Sequence, residues 1–193
     1  PCPYPTLLRA ATSIDFINKG RETHVGAAMD RDFNFSSCIH CGQCVLVCPT
    51  GALHEKHNIT EVQVYLNKPE IVKAIQYSSM VVYGIAEELG MRYTKEFDKI
   101  LNAVLRKIGF DKVYKTGLGT DVCISEIAGQ LSQRIENKSD NPLYISACPA
   151  WVKYAEQFVP SLIPYLSPVK SPQQITGVLI KTRVAYRLGL QPA

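Results

Sequence analysis

No stretch of this 193-residue sequence approaches the ~18 consecutive apolar residues that a membrane-spanning helix requires. The amino-terminal residues also lack the basic-then-apolar pattern of a secretion signal. These absences predict a soluble intracellular protein with no membrane partner. Lys and Arg total 21 against 17 Asp and Glu, a formal charge of only +4, and the basic residues are spread along the chain. No basic stripe is present to track a phosphate backbone, so nucleic acid is excluded as an expected partner. Internal repeats and low-complexity segments are absent as well. Asn-x-Ser/Thr triplets occur at Asn34, Asn58 and Asn137, but without an export signal they read as chance matches.

What is present is ordinary globular composition, 46% hydrophobic and 20% charged, enough for one or two domains. The unusual element is cysteine. There are 7, an odd count, and four of them fall between positions 38 and 48. A disulfide framework favours an even count at wider spacing, so the pattern points to metal.

The chain changes character near residue 60. Before it lies a turn-rich, irregular segment holding the cysteine cluster, and after it short apolar runs alternate with amphipathic ones. Phe97, Ile100, Leu101, Val104, Leu105 and Ile108 recur at three- and four-residue steps, predicting a buried helix that ends near Gly109. "DKVYKTG" reads as a strand, and Ile124, Ile127, Ala128, Leu131 and Ile135 mark a second helix. "LYIS" reads as a strand that delivers Cys148. Trp151, Val152, Ala155 and Phe158 predict a helix after it, and Ser171 with Pro172 predicts the capped start of another. The expected fold class is therefore α/β, a mainly parallel sheet flanked by helices, preceded by a small α+β iron–sulfur module.

The segment "CIHCGQCVLVCPTGAL" carries Cys38, Cys41, Cys44 and Cys48 with the C-x2-C-x2-C-x3-C-P spacing of bacterial ferredoxins. Two-residue gaps let successive thiolates wrap the corners of a [4Fe–4S] cube, and Gly42 permits the turn. Zinc or plain structural thiols are the competing readings. The fourth cysteine of such a run ordinarily serves a second cluster. Cys2, followed by Pro3, looks like the end of an earlier copy of the motif and would then complete the site of Cys38, Cys41 and Cys44. The alternative is that Cys48 closes a single cluster and Cys2 is a loose terminal thiol. His40 sits between ligands at a variable position, and His24, His54 and His57 read as surface residues.

Together "CIHCGQCVLVCPTGAL", "EELG", "LRKIGFDKVY", "SACPAW" and "KSPQQITGVLIKT" resemble the [FeFe]-hydrogenases, and "DFINKGRETHVGAAMDRD" resembles their linker between ferredoxin motifs. The resemblance implies two domains: a truncated ferredoxin-like [4Fe–4S] module over residues 1–60, and the first half of the catalytic domain over residues 61–193. It implies [4Fe–4S] clusters and, once the domain is completed, a diiron subsite bearing CO and cyanide. Cys148 takes the place of a cube ligand, and Ser171, Pro172, Gln173 and Gln174 fall near the diiron site. The family's later "MPC" and "C-x3-C" motifs are missing, so the chain resembles a fragment or a subunit that a second chain completes. Lys181 belongs to a helix face and is not read as catalytic.

The chain departs from the family at its proton relay. Ser167 survives, whereas Ala147, Ile127 and Gln130 occupy the positions of a cysteine and two glutamates. Alanine and isoleucine have no exchangeable proton and a neutral amide is a poor acid or base. Ser78, Ser79, Met80, Val81 and Val82 replace the family's "APxVR". Cys123 reads as a small buried side chain, Glu126 as a surface residue, and Tyr144 with Trp151 as water-excluding neighbours of Cys148. The expected function is electron transfer through [4Fe–4S] clusters to an attenuated or sensory hydrogen-converting centre, an oxidoreductase in cytoplasm or hydrogenosome. Its redox partner would be a ferredoxin or an NADH-linked subunit. The alternatives are a non-catalytic hydrogenase-like assembly factor and a plain electron carrier.

Overall fold

The computed structural model describes residues 13–191, which form two compact units. One takes in the described residues up to Lys56 together with Cys148–Pro164, and the other takes in His57–Ala147 and the chain from Tyr165 onward.

The first unit is built on turns. β1 (Asp15–Ile17) pairs antiparallel with β2 (His24–Gly26), with Phe16 opposite Val25. A Cβ at Gly26 would come within 2.6 Å of Ile17 Cδ1, the far end of a flexible side chain, so a larger residue there requires Ile17 to turn aside. His24 is clamped between two acceptors, the Glu22 carbonyl at 3.0 Å from Nδ1 and Asp30 Oδ1 at 3.1 Å from Nε2. After single 3-10 turns come α1 (Gln43–Val47) and, later in sequence, α6 (Pro149–Phe158). Trp151, Tyr154 and Phe158 stack along α6 at three- and four-residue steps, with ring centroids 6.2 and 5.2 Å apart.

The second unit opens with α2 (Ile59–Leu66) and then sets β3 (Ala74–Tyr77) parallel to β4 (Lys112–Lys115), with Tyr77 opposite Lys115. Between them run α3 (Ser79–Glu88) and α4 (Lys95–Ile108). α4 has acidic Glu96 and Asp98 in its first turn and basic Arg106 and Lys107 in its last, matching the helix dipole, and ends at Gly109 with φ 124°. Tyr77, Val82, Ala86, Phe97 and Leu101 form the core, and Ile85, Tyr93, Leu105 and Val113 pack against it. A polar seam borders that core. Lys115 Nζ donates to Asp98 Oδ2 at 2.5 Å, Tyr93 donates to the same oxygen at 3.3 Å, and Tyr77 donates to Asn102 at 2.9 Å.

α5 (Gly117–Glu136) follows β4 directly and packs on α7 (Pro172–Leu179), which continues through a π-helical segment (Ile180–Val184) into α8 (Ala185–Arg187). Gly119 makes this packing possible, because a Cβ there would collide with the Pro172 carbonyl and Thr176 Oγ1. Thr176 is buried and its hydroxyl donates to that same carbonyl at 2.9 Å. α7 starts where the sequence places it. Ser171 and Gln174 form a reciprocal capping box around Pro172, an arrangement worth about 0.5–2 kcal/mol at the cap alone.

Three expectations change. The mainly parallel sheet contracts to β3 and β4, and the "LYIS" strand to one parallel bridge between Tyr144 and Leu166. Beyond Tyr144 a side chain takes over from the ladder: Ser146 Oγ reaches the carbonyls of Ser167 at 2.5 Å and Val169 at 3.0 Å, sharing its one proton between them. The apolar face of α4 is only half buried, since Ile100, Val104 and Ile108 remain 51, 46 and 54% exposed beside buried Phe97 and Leu101. α2 and α3 have no counterpart in the sequence reading, because apolar residues surround them without a single favoured stripe. Among the described residues no helix is long and apolar enough to cross a membrane.

Candidate metal centre

The cysteine motif folds as a loop leading into α1. Cys38, Cys44 and Cys48 are half-buried and Cys41 is exposed. His40 and Gly42 both adopt left-handed backbone, φ 56° and 73°, and this reverses the chain between successive cysteines. Gly42 then caps α1, its carbonyl accepting the Val45 N–H at 3.1 Å. The sulfurs are met by donors. The His40 N–H points to Cys38 Sγ at 3.4 Å, the Leu53 N–H to Cys48 Sγ at 3.5 Å, and the Thr50 hydroxyl lies 3.5 Å from Cys48 Sγ.

These surroundings separate the thiols. The Leu53 N–H, then the Thr50 hydroxyl and N–H, lower the Cys48 pKa to about 7, because each donor stabilises the thiolate. Burial pushes Cys44 up, and the charges of Cys38 and Cys41 add to that rise. Among the described residues no three His, Cys, Asp or Glu side chains gather around a point that would hold a lone metal ion. A cube spreads its ligands over four corners, and a donor set of soft thiolates with N–H···S bonds suits iron and sulfide. Cys2 lies outside the described residues.

Cys148 is exposed and occupies the N-cap of α6, where its carbonyl accepts the Val152 N–H at 3.1 Å and Pro149 supplies the first helical residue. Tyr144 and Trp151 are half-buried. Ser167, expected as the surviving relay member, is buried at 3% exposure, and its hydroxyl donates to Gln130 Oε1 at 2.9 Å. It also accepts the Val169 N–H at 3.2 Å. Two of the four positions expected from the resemblance, Ser167 and Gln130, therefore meet. Ile127 and Ala147 are half-buried side chains with no proton to exchange.

The "KSPQQ" residues are engaged structurally. Ser171 and Gln174 form the cap of α7, the Gln173 carbonyl accepts Gln76 Nε2 at 3.2 Å, and the Pro172 carbonyl accepts Thr176. Gln76 Oε1 is buried without a hydrogen-bond partner among the described residues. Ser78 to Val82 lead into α3, where Val82 is fully buried and Met80 is 76% exposed. Cys123 is buried on α5, and Glu126, His24, His40, His54 and His57 are exposed. Lys181 lies in the π-helical segment. Thr50, Ser146 and Gly119 carried no signal in the sequence, since threonine, serine and glycine at such positions have many uses.

Residues 72–192 match the family model for the iron-only hydrogenase large subunit, C-terminal domain, and residues 32–54 match the 4Fe-4S binding domain. The chain is 38% identical over 180 residues to Iron hydrogenase 1 of Clostridium pasteurianum, covering 93% of this chain and 31% of that protein. It is 34% identical over 180 residues to the NADP-reducing hydrogenase subunit HndD of Solidesulfovibrio fructosivorans, covering 90% of this chain and 31% of the relative. The cytosolic Fe-S cluster assembly factor NAR1 of Scheffersomyces stipitis is 31% identical over 179 residues, with 89% of this chain and 32% of the relative covered. A solved apo [FeFe]-hydrogenase HydA1 from Chlamydomonas reinhardtii superposes with a TM-score of 0.61 at 32% identity, covering 71% of this chain and 36% of that one. The chain thus spans about a third of the length of the relatives it matches. Iron–sulfur clusters are the cofactors that its cysteine motif and these matches support together. A hydrogenase domain over more than half the chain, preceded by a matching 4Fe-4S segment, makes this protein a member of the [FeFe]-hydrogenase family.

Proposed function

We propose that this chain is the electron-entry and cube-binding portion of an [FeFe]-hydrogenase with attenuated proton handling. The observation that carries the reading is the thiolate loop, with donors aimed at Cys38 and Cys48, directly preceding a hydrogenase domain. Cys38, Cys41 and Cys44 hold a [4Fe–4S] cluster with Cys2 as fourth ligand, and Cys48 reaches a second. In the alternative set Cys48 closes a single cluster. Cys148 supplies one ligand to a further cube, whose remaining ligands come from polypeptide outside these residues. Bound there, the cube and its diiron partner would supply the redox chemistry that interconverts protons, electrons and hydrogen.

The chain's own residues support slow proton delivery. Ser167 spends its proton on Gln130 Oε1, and its lone pair is met by the Val169 N–H. The next group is a neutral amide, so the serine proton is held in a structural bond and is not handed to an acid or base. A positioned acid or base is worth roughly 10²–10⁴ in rate, and its loss slows turnover without loosening the metal. The expected redox partner is a ferredoxin or NADH-linked subunit, with a second polypeptide completing the site.

A second reading, a non-catalytic assembly factor, is favoured by the 31% identity to NAR1. Infrared spectra after anaerobic reconstitution and maturation, with the remainder of the domain supplied, separate the two. Bands from iron-bound CO and cyanide support the hydrogenase reading; cluster EPR signals without such bands support the assembly factor.

A further inference from the structure

Cys48 has the fullest set of donors among the motif thiols. Its sulfur lies 3.5 Å from Thr50 Oγ1 and 3.5 Å from the Leu53 nitrogen, whereas Cys38 has one such contact, with His40 at 3.4 Å. The backbone is shaped for this. Gly51 is left-handed at φ 65°, with nothing within 4 Å of where its Cβ would stand, and its N–H reaches the Cys48 carbonyl at 3.5 Å. The segment from Cys48 to Leu53 therefore curls around the sulfur.

The two donors differ in origin. The Leu53 N–H accompanies any sequence that takes this turn, but the Thr50 hydroxyl is a choice of side chain. Facing a thiolate, which has no proton to give, the hydroxyl donates. We propose that Thr50 sets the reduction potential of the iron–sulfur cluster that Cys48 ligates, through an O–H···S bond to that sulfur. One-electron reduction of a cluster places more negative charge on its thiolates. A dipole with its positive end at the sulfur stabilises the reduced form more than the oxidised one, which raises the potential. Thr50 is exposed, so replacing it leaves the packing of the unit intact. The proposal rests on the reading that Cys48 binds iron.

The test uses the whole chain, supplied with the polypeptide that completes the cluster of Cys48 where that cluster is the second one, as wild type, Thr50→Val and Thr50→Ser, reconstituted anaerobically with iron and sulfide. Iron and sulfide are counted, and each cluster is then titrated with dithionite and followed by EPR. Val matches the shape of Thr without its hydroxyl, and Ser keeps the hydroxyl. The expected result is unchanged iron content throughout, one midpoint moved to more negative potential in Thr50→Val, and that midpoint restored in Thr50→Ser. If every midpoint in Thr50→Val equals the wild-type value, Thr50 has no such role although iron binding stands. Equal shifts in both variants also overturn the proposal, since the hydroxyl is then irrelevant. A wild-type chain that takes up no iron overturns this proposal and the iron–sulfur reading beneath it.

Discussion

Ser167 donates to Gln130 at 2.9 Å from a site only 3% exposed, joining the segment after Leu166 to the middle of α5. A buried hydroxyl left without its acceptor retains its desolvation cost, about 1–3 kcal/mol. Gln130→Ala is therefore expected to destabilise the chain by about that amount, and Ser167→Ala with Gln130→Ala by less than the sum of the two. Urea unfolding of the two single variants and the double variant reads the coupling directly.

Gln130→Glu follows from the same pair. A carboxylate preserves an oxygen for the Ser167 hydroxyl and adds an acid–base group where the amide has none. In protein whose catalytic domain has been completed and matured, hydrogen–deuterium exchange should rise in Gln130→Glu, and further with Ile127→Glu. Their combined effect has an upper scale of roughly 10²–10⁴. No gain in either variant would show that the bottleneck lies elsewhere than in proton delivery.

Gly119 and Gly129 lie on the same helix and should respond oppositely to alanine. At Gly119 the added methyl meets the Pro172 carbonyl and Thr176 Oγ1, so Gly119→Ala pushes α5 and α7 apart at about 1–3 kcal/mol. At Gly129 nothing lies within 4 Å, and Gly129→Ala should stabilise by about 0.4–1 kcal/mol. Midpoints of thermal unfolding, one lowered and one raised, check both.

His24 should titrate above the ordinary histidine range. Its pKa is raised first by the Glu22 carbonyl and then by Asp30, and both partners are acceptors, so only the doubly protonated ring satisfies them at once. The sign follows from the raised folded value. Whatever the clamp adds to the order of β1 and β2 is fully present below the pKa of an unfolded histidine and disappears as pH rises through the folded one. Proton NMR of the ring should place the midpoint above that of a free histidine, and Asp30→Asn should bring it back down.

How much of this was legible in the sequence differs by element. Ser171 and Pro172 marked the start of α7 because caps are local chemistry, and the 97–108 periodicity marked α4 because an amphipathic stripe is visible in one dimension. The sheet was overestimated for a physical reason. "LYIS" has strand composition, yet pairing is a property of the neighbouring segment, and here the Ser146 side chain takes the carbonyls that follow the bridge. The four-cysteine spacing gave away the motif, while the bonds that distinguish Cys48 from Cys38 depend on a turn that only three dimensions display. Ser167 and Gln130 stand 37 positions apart, and their hydrogen bond comes from the placement of α5.

The ligand assignment yields to iron counting. Cys38, Cys41 and Cys44 are shared by both proposed sets, so serine at any one of them should abolish the visible absorbance and most of the iron of their cluster. Cys2 and Cys48 separate the sets. If Cys2 completes the cluster and Cys48 serves a second, Cys2→Ser should weaken the first while Cys48→Ser leaves its EPR signal in place. If Cys48 closes the only cluster, the pattern reverses. The Cys2 set is expected, because a fourth cysteine in this spacing ordinarily points away from the three before it. Here Cys48 stands past α1, with its own turn and its own donors. Cys148→Ser should leave the loop cluster unchanged in either case, since Cys148 opens a separate helix, and should remove only the cube of the completed catalytic domain.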